Sequence, residues 1–479
     1  MKRNLNNNVV ISLLAIFVFS CSEKYLGEEP AVLNPEFSVI YDEEAIVSLE
    51  LATNVAKTFL GGEIAKKGGA KSLSKASSIE TVKDKSNNPS MYVVNYPEGG
   101  WVIVGASKNY YPVLAYSDEG SFEIKPEAEM GGAFIWLEET KEAIRVSPAF
   151  DGPTKAQMRL QWQTYEASDK RISERSGAKN YQIMYDRMDQ LSAQYGGSSG
   201  AAGGGWNYYY TLEDIRYLFD SYTYENILSM ANMFGSQPEF TIVAIKDIST
   251  TYTVGPLLTT KWNQGSPFNS LVPNQHPAGC GAVAMAQVMN FHQRPYTYSY
   301  NGQVINWNAT NNAHAPLLIA ATGSLSNTQY WSAGSWAFPG NIKSGLQSVG
   351  YTVSQANHNY IATRNELLNN QRPVLMIGGK VNTPINLLSY INGHYWVCEG
   401  VYEHISDYKY FVEFFTGSGY NSYGWSTPTY PGSISVTGGQ ARLYMNWGWG
   451  GTNDGWYYNN SFPSGHNYQY DRQNYYISW

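Results

Sequence analysis

The chain has 479 residues, 43% hydrophobic and 15% charged, a globular composition that leaves room for two domains or three and argues against a disordered or fibrous protein. A formal net charge of −7 gives nucleic acid no electrostatic reason to bind.

The first 21 residues read as an export signal. Lys2 and Arg3 form a charged start, and Val9 to Phe19 is an apolar run too short to span a bilayer. The run ends in Val18-Phe-Ser-Cys21, which resembles a bacterial lipobox with Cys21 as the lipidated residue. Ordinary cleavage near Ser20, or an uncleaved anchor, is the plainer alternative. The expected location is extracytoplasmic, on the outer membrane or cell surface, with contact to the membrane through the N-terminal lipid only. Residues 22–35 read as a tether.

Residues 36–150 read as an α+β unit. An amphipathic helix is expected from Asp42 to Leu60, and residues 61–88 as a Gly-, Lys- and Ser-rich loop. Met91 to Gly105 has two apolar runs around Pro97-Glu-Gly-Gly100, a β-hairpin pattern. A further strand pair is expected through Tyr111 to Ile124, and a helix over Gly131 to Ile144. Residues 151–249 read as a helix-favouring and linker region, with Lys170-Arg171 and a mobile Gly196–Gly205 run exposed to cutting. Helical periodicity returns from Thr211 to Phe234. From about residue 250 to 479 charges thin out and strands dominate, among them Tyr408 to Phe415 and Arg442 to Trp447, with a helix over Asn341 to Val349.

Residues 251–479 carry 9 Lys and Arg against 7 Asp and Glu, which leaves 23 against 32 for residues 1–250. That imbalance suits an acidic first half docking on its neighbour without requiring it. All 7 histidines lie at or beyond His276, so chemistry that needs imidazole belongs to the second half.

Four segments of that half carry chemistry. In Pro277-Ala-Gly-Cys-Gly-Ala-Val-Ala-Met-Ala-Gln287, Cys280 stands between glycines at a helix start, where the macrodipole favours thiolate. The bland reading is a buried small hydrophobe. Gly393-His394 precedes an apolar strand, and an imidazole there can take the thiol proton and hold the ion pair. Asn446 ends a strand and can fix the tautomer of His394, while Trp447 can shield that bond from water, inside a Gly/Trp-rich run that also suits sugar binding. Gln264 can join the Cys280 backbone N–H in an oxyanion hole.

Two rivals use the same atoms. His276 with Cys280 and His394 with Cys398 form two His-x-x-x-Cys pairs, a conceivable zinc set, but residues 394 and 398 on one strand lie roughly 13 Å apart at ~3.3 Å per residue. A Cys280–Cys398 disulfide suits an oxidising compartment, although Cys398 reads as a buried thiol within an apolar strand.

Together KWNQGSPFNSLVP (261–273), GCGAVAMAQVMNFHQRP (279–295), GHYWVCEGV (393–401) and NWGWGGTNDGWY (446–457) resemble the streptopain family of cysteine peptidases. The resemblance implies a papain-like α+β peptidase domain at 250–479 and an N-terminal α+β inhibitory prodomain at 36–150, the latter through YPVLAYSDEGSFE (111–123). It implies Cys280 as nucleophile, His394 as base and acid, Gln264 as oxyanion donor, and Asn446 and Trp447 as orienting and shielding groups. Protein or peptide substrates, the chain's own prodomain as intramolecular inhibitor, and no metal or organic cofactor follow from it. Residues 151–249 are longer than the family pattern suggests, which leaves the maturation cut open; a cut there leaves the lipid on the prodomain and releases the mature domain. Two other functions fit the same residues: a surface carbohydrate- or protein-binding lipoprotein with a non-catalytic Cys–His pair, and a Cys–His acyl transferase.

Overall fold

The N-terminal helix α1 (Leu49–Lys66) lies on a meander of strands, β1 (Ser78–Lys83), β2 (Pro89–Asn95), β3 (Trp101–Gly105) and β4 (Val113–Ser117). This computed structural model describes residues 45–66, 75–149, 248–309, 312–378, 393–416, 441–459 and 472–479, with shorter pieces at 73, between 158 and 247, at 424–425 and at 429–436. Cys21, the 22–35 tether, Lys170-Arg171, the Gly196–Gly205 run and most of the expected Thr211–Phe234 helix lie outside the described residues. The described residues all belong to one unit, Tyr41–Trp479.

The strand period of two assigns the meander's side chains to two cores. Tyr92, Val94, Val102 and Val104 pack under α1 with Val55 and Leu60, while Met91, Val93 and Ile103 face the opposite way. That second face receives helix α2 (Gly132–Val146), whose Ile135, Trp136, Ala143 and Ile144 are buried.

Beyond it come β5 (Trp206–Tyr209), β6 (Phe240–Asp247) and β7 (Thr250–Val254), then helix α3 (Cys280–His292). A small hairpin, β8 (Ser299–Tyr300) and β9 (Gln303–Val304), leads to α4 (Ala315–Leu325) and α5 (Pro339–Ser348). Strand β10 (Thr352–Asn357), helix α6 (Tyr360–Leu368) and β11 (Val374–Gly378) precede the long β12 (His394–Thr416). The remainder is β13 (Gly424–Trp425), β14 (Thr429–Val436), β15 (Arg442–Asn446), β16 (Gly455–Tyr458) and β17 (Gln473–Ser478).

The main sheet runs β1-β2-β3-β4-β16-β15-β12-β11-β17-β10, and its pairs are antiparallel. Its two halves are stitched at one seam, where β4 meets β16 through Tyr116↔Trp456 and Ala115↔Tyr457. The sheet divides the C-terminal half into two layers. Tyr395, Val397, Leu375, Ile377 and Tyr475 face α3, α4 and α5, whereas Trp396, Cys398, Met376, Leu443 and Met445 face the N-terminal meander and α2. This is the expected α+β architecture, with the Cys280 helix on one side of the sheet that begins at His394.

Three elements differ from expectation. The first helix starts at Leu49, because Ala45 and Val47 spend their backbone groups on Lys108 and Ala106. The 61–88 stretch is not all loop: α1 continues to Lys66, and Ser78–Lys83 is a strand. Most of that strand's side chains are exposed, so it shows no apolar alternation. Tyr111 to Ile124 yields one strand, not two. After the Asp118–Gly120 turn the chain is held by a side chain instead of a ladder: Asn95 Oδ1 accepts the Phe122 N–H at 2.7 Å and Asn95 Nδ2 donates to Phe122 O at 3.1 Å.

Candidate active site

Helix α3 is built of small and apolar residues, and every residue from Gly281 to Met289 is buried. It can be that deeply buried because its side chains are short: a Cβ on Gly281 would lie 3.0 Å from Ile342 and 3.3 Å from Tyr395. Gly279, at φ +87°, makes the sharp entry that sets Cys280 at the first helical position. The Cys280 thiol keeps partial exposure, and its Sγ accepts the N–H of Tyr395 at 3.4 Å. Desolvation pushes the thiol pKa up, while the backbone N–H groups of Tyr395, Gly281 and Cys280 itself pull against it.

Tyr395 directly follows His394, so β12 delivers the imidazole to the helix start. His394 is buried, and its Nε2 lies 2.8 Å from the carbonyl oxygen of Trp447. A carbonyl only accepts, so Nε2 carries the proton and the lone pair is on Nδ1. Trp449 stacks on the ring at 5.5 Å between centroids and 9° between planes. The N-terminal half closes over it: a Cβ on Gly131 would lie 2.6 Å from His394 Cγ and Nδ1, and one on Gly132 would lie 2.2 Å from the Trp447 ring. Only glycines allow α2 to begin there, and Gly131 has φ +54° besides. This burial pushes the His394 pKa down to about 4, against a smaller upward pull from Trp447 O.

Asn446 makes other contacts than the expected one to His394. Its Nδ2 donates to Thr260 O at 2.9 Å, and its Oδ1 accepts from Gln287 Nε2 at 3.2 Å and from the Gly448 N–H at 3.2 Å. Gln287, fully buried two turns along α3 from Cys280, also accepts the Thr260 hydroxyl at 2.9 Å and the Trp262 N–H at 3.4 Å. The two amides therefore join the helix bearing Cys280, the segment bearing Gln264 and the loop bearing Trp447. Gln264 itself is buried, and its carbonyl accepts the N–H of Ala278, two residues before Cys280. Trp447 is buried against Trp396 and Tyr457. Glu399, whose pKa burial raises to about 8, takes the Leu258 N–H at 2.5 Å and anchors the approach to that segment.

Three residues of this arrangement carried no role in the sequence reading: Gln287, Glu399 and Trp449. Gln287 had a visible mark, as the one amide in the small and apolar stretch from Gly281 to Met289. Cys280 and Cys398 are both free, and they lie on opposite faces of the sheet, so neither a shared metal nor a disulfide joins them. Among the described residues no cluster of three His, Cys, Asp or Glu side chains could hold a metal ion.

The N-terminal half docks along the same loop. Asn453 Oδ1 accepts the Glu123 N–H at 3.0 Å, and Asn453 Nδ2 donates to Glu123 O at 3.3 Å. Lys261 pairs with Glu119 at 2.8 Å, and Glu139 of α2 forms a buried ion pair with Arg472.

Comparison with known proteins adds to this geometry. Residues 44–144 match the family model described as Spi protease inhibitor, and residues 262–316 match the Peptidase C10 family. The second match contains Gln264, Cys280 and Gln287, whereas His394, Asn446 and Trp447 lie beyond it. No curated protein sequence matches the chain. Among solved structures, a fragment of prointerpain A from Prevotella intermedia is similar at 15% identity, over 83% of this chain and 97% of that one, with a TM-score of 0.41. That likeness is too distant to bear on any residue. The two matches place an inhibitor-type segment and then a peptidase-type segment in one polypeptide: a region similar to Spi-type inhibitors and a region similar to the Peptidase C10, or streptopain, family of cysteine peptidases.

Proposed function

We propose that this cysteine peptidase is an endopeptidase made as a self-inhibited precursor, exported and tethered through Cys21, with a prodomain at 36–150, a connecting region at 151–249 and a peptidase domain at 250–479. The observation that carries the reading is the meeting at the head of α3: Cys280 under the Tyr395 N–H, with Gly131 of the N-terminal half laid on the neighbouring His394.

In the released enzyme, imidazole Nδ1 takes the thiol proton, and the Cys280 sulfur attacks the peptide carbonyl carbon. The Gln264 amide and a backbone N–H hold the oxyanion. As the C–N bond breaks, the imidazolium protonates the leaving amine. Water, losing a proton to Nδ1, then cleaves the thioester and restores the thiol. Trp447 O keeps the imidazole in the tautomer this requires, and Asn446 supports that loop from beneath. In the precursor, burial disfavours both charged partners, thiolate and imidazolium, so the docked N-terminal half suppresses the ion pair as well as covering the site.

The test is intact mass of the protein without its signal, incubated under reducing conditions beside Cys280→Ala. Wild type shortens by roughly 150–230 residues through its own nucleophile, and Cys280→Ala stays full length. If both remain intact and Cys280 resists alkylation, the reading fails.

A further inference from the structure

The peptidase reading gives Asp454 no task, yet this carboxylate is buried in the loop that holds His394. Asp454 Oδ1 accepts the backbone N–H of Trp447 at 2.8 Å, and the carbonyl of that same Trp447 accepts His394 Nε2–H at 2.8 Å. The Asp454 N–H donates to Gly451 O at 3.2 Å, so one residue ties both ends of the loop. Between them stand Gly448, Gly450 and Gly451, all at positive φ, with no Cβ to restrict the backbone. Trp449, which stacks on the imidazole, rides on the same loop.

We propose that Asp454 is a positioning residue for His394: by clamping Trp447 it fixes the carbonyl that holds Nε2–H and the tryptophan that backs the ring. The inference rests on the peptidase reading and deepens it. An acceptor on Nε2–H favours imidazolium, so a loosened clamp lowers the basicity of the imidazole and turns its lone pair away from the thiol. The titratable groups around Asp454 are Lys261, Glu399, Tyr444 and Tyr457, and since Ala and Asn both remove the Asp454 charge, its effect on them is the same in the two variants. An Asn side chain offers the same acceptor oxygen, whereas Ala offers none.

The experiment compares processed wild type, Asp454→Ala and Asp454→Asn. It reads kcat and KM on a peptide, and the pH dependence of Cys280 alkylation by iodoacetamide. Asp454→Ala is expected to lose about 10- to 100-fold in kcat with KM little changed, and to move the alkaline limb of the profile to lower pH. Asp454→Asn is expected to recover most of the loss. If Asp454→Ala does not fold, Asp454→Glu replaces it: the charge stays but the longer side chain misplaces the oxygen, and the same shift is expected. An alkaline limb that stays in place in a folded Ala or Glu variant overturns the proposal, as does an Asn variant no better than Ala. A wild-type thiol that shows no imidazole-linked limb would instead overturn the peptidase reading itself.

Discussion

His394 is neutral in the precursor because Gly131 leaves it neither water nor a counter-charge. A histidine free of such cover titrates near 6.5, and here it is pushed down to about 4. The covered state releases a proton, so this contribution to docking is fully present above about 6.5 and is lost as pH falls toward 4. In the Cys280→Ala precursor, cutting of the N-terminal half by an added protease is therefore expected to rise between pH 7.5 and pH 4.5, roughly tenfold or more from this residue. A pH-independent rate would show that His394 is not what the prodomain buries. Gly132 supports the same contact by its lack of a side chain. Gly132→Val drives atoms into the Trp447 ring, an overpacking worth about 1–3 kcal/mol, and faster self-processing than wild type is the expected result. That Cys280 heads a helix and His394 heads a strand was legible in the sequence, because glycine neighbours and strand edges are local. Asp454 and Gln287 were not, because what each side chain does is settled by which backbone lies across from it.

Two buried polar groupings hold the elements in place. The Gln287–Asn446 amide pair bridges α3, the Thr260–Trp262 segment and the end of β15. Gln287→Leu keeps the volume and takes the acceptor away from the Thr260 hydroxyl and the Trp262 N–H, so chemical denaturation is expected to show a loss of about 1–3 kcal/mol. The Glu139–Arg472 pair links α2 to the strand region before β17, with both side chains almost fully buried. Glu139→Gln leaves Arg472 uncompensated, and a penalty of about 3–5 kcal/mol is expected on the docked precursor; a Tm equal to wild type would refute it. Much of the element pattern could be read beforehand: the β2–β3 hairpin, α2, α3 and the α+β class follow from apolar periodicity. Strand β1 escaped because an exposed edge strand has little apolar alternation to show. The segment after β4 was misread as a strand because Phe122 is buried there without backbone pairing; its partner is the Asn95 side chain. Asn446 was expected on His394 from its place at a strand end, whereas the folded chain turns its amide inward and uses the next residue's carbonyl.

At the scale of the whole molecule, the prodomain and the peptidase share one core. Trp101, Phe122 and Trp136 pack with Trp396, Met445, Trp447 and Tyr457 in a single buried cluster, and Trp136 donates its indole N–H to Tyr458 O at 3.1 Å. A chain lacking residues 1–150 has to fold without the partner for that apolar face, so expression of 151–479 alone is expected to give a lower soluble yield by size exclusion than release of the same domain from a precursor that has already folded.

The seam between β4 and β16 separates two events that a single peptide cut would otherwise merge. Severing the chain in the 151–249 region breaks no ladder bond and disturbs no shared side chain of this seam. A nicked precursor is then a two-chain complex with a dissociation constant, silent when concentrated and active when diluted. The dose of activity would then be set by how far the molecule has spread, and the cut itself would only arm it.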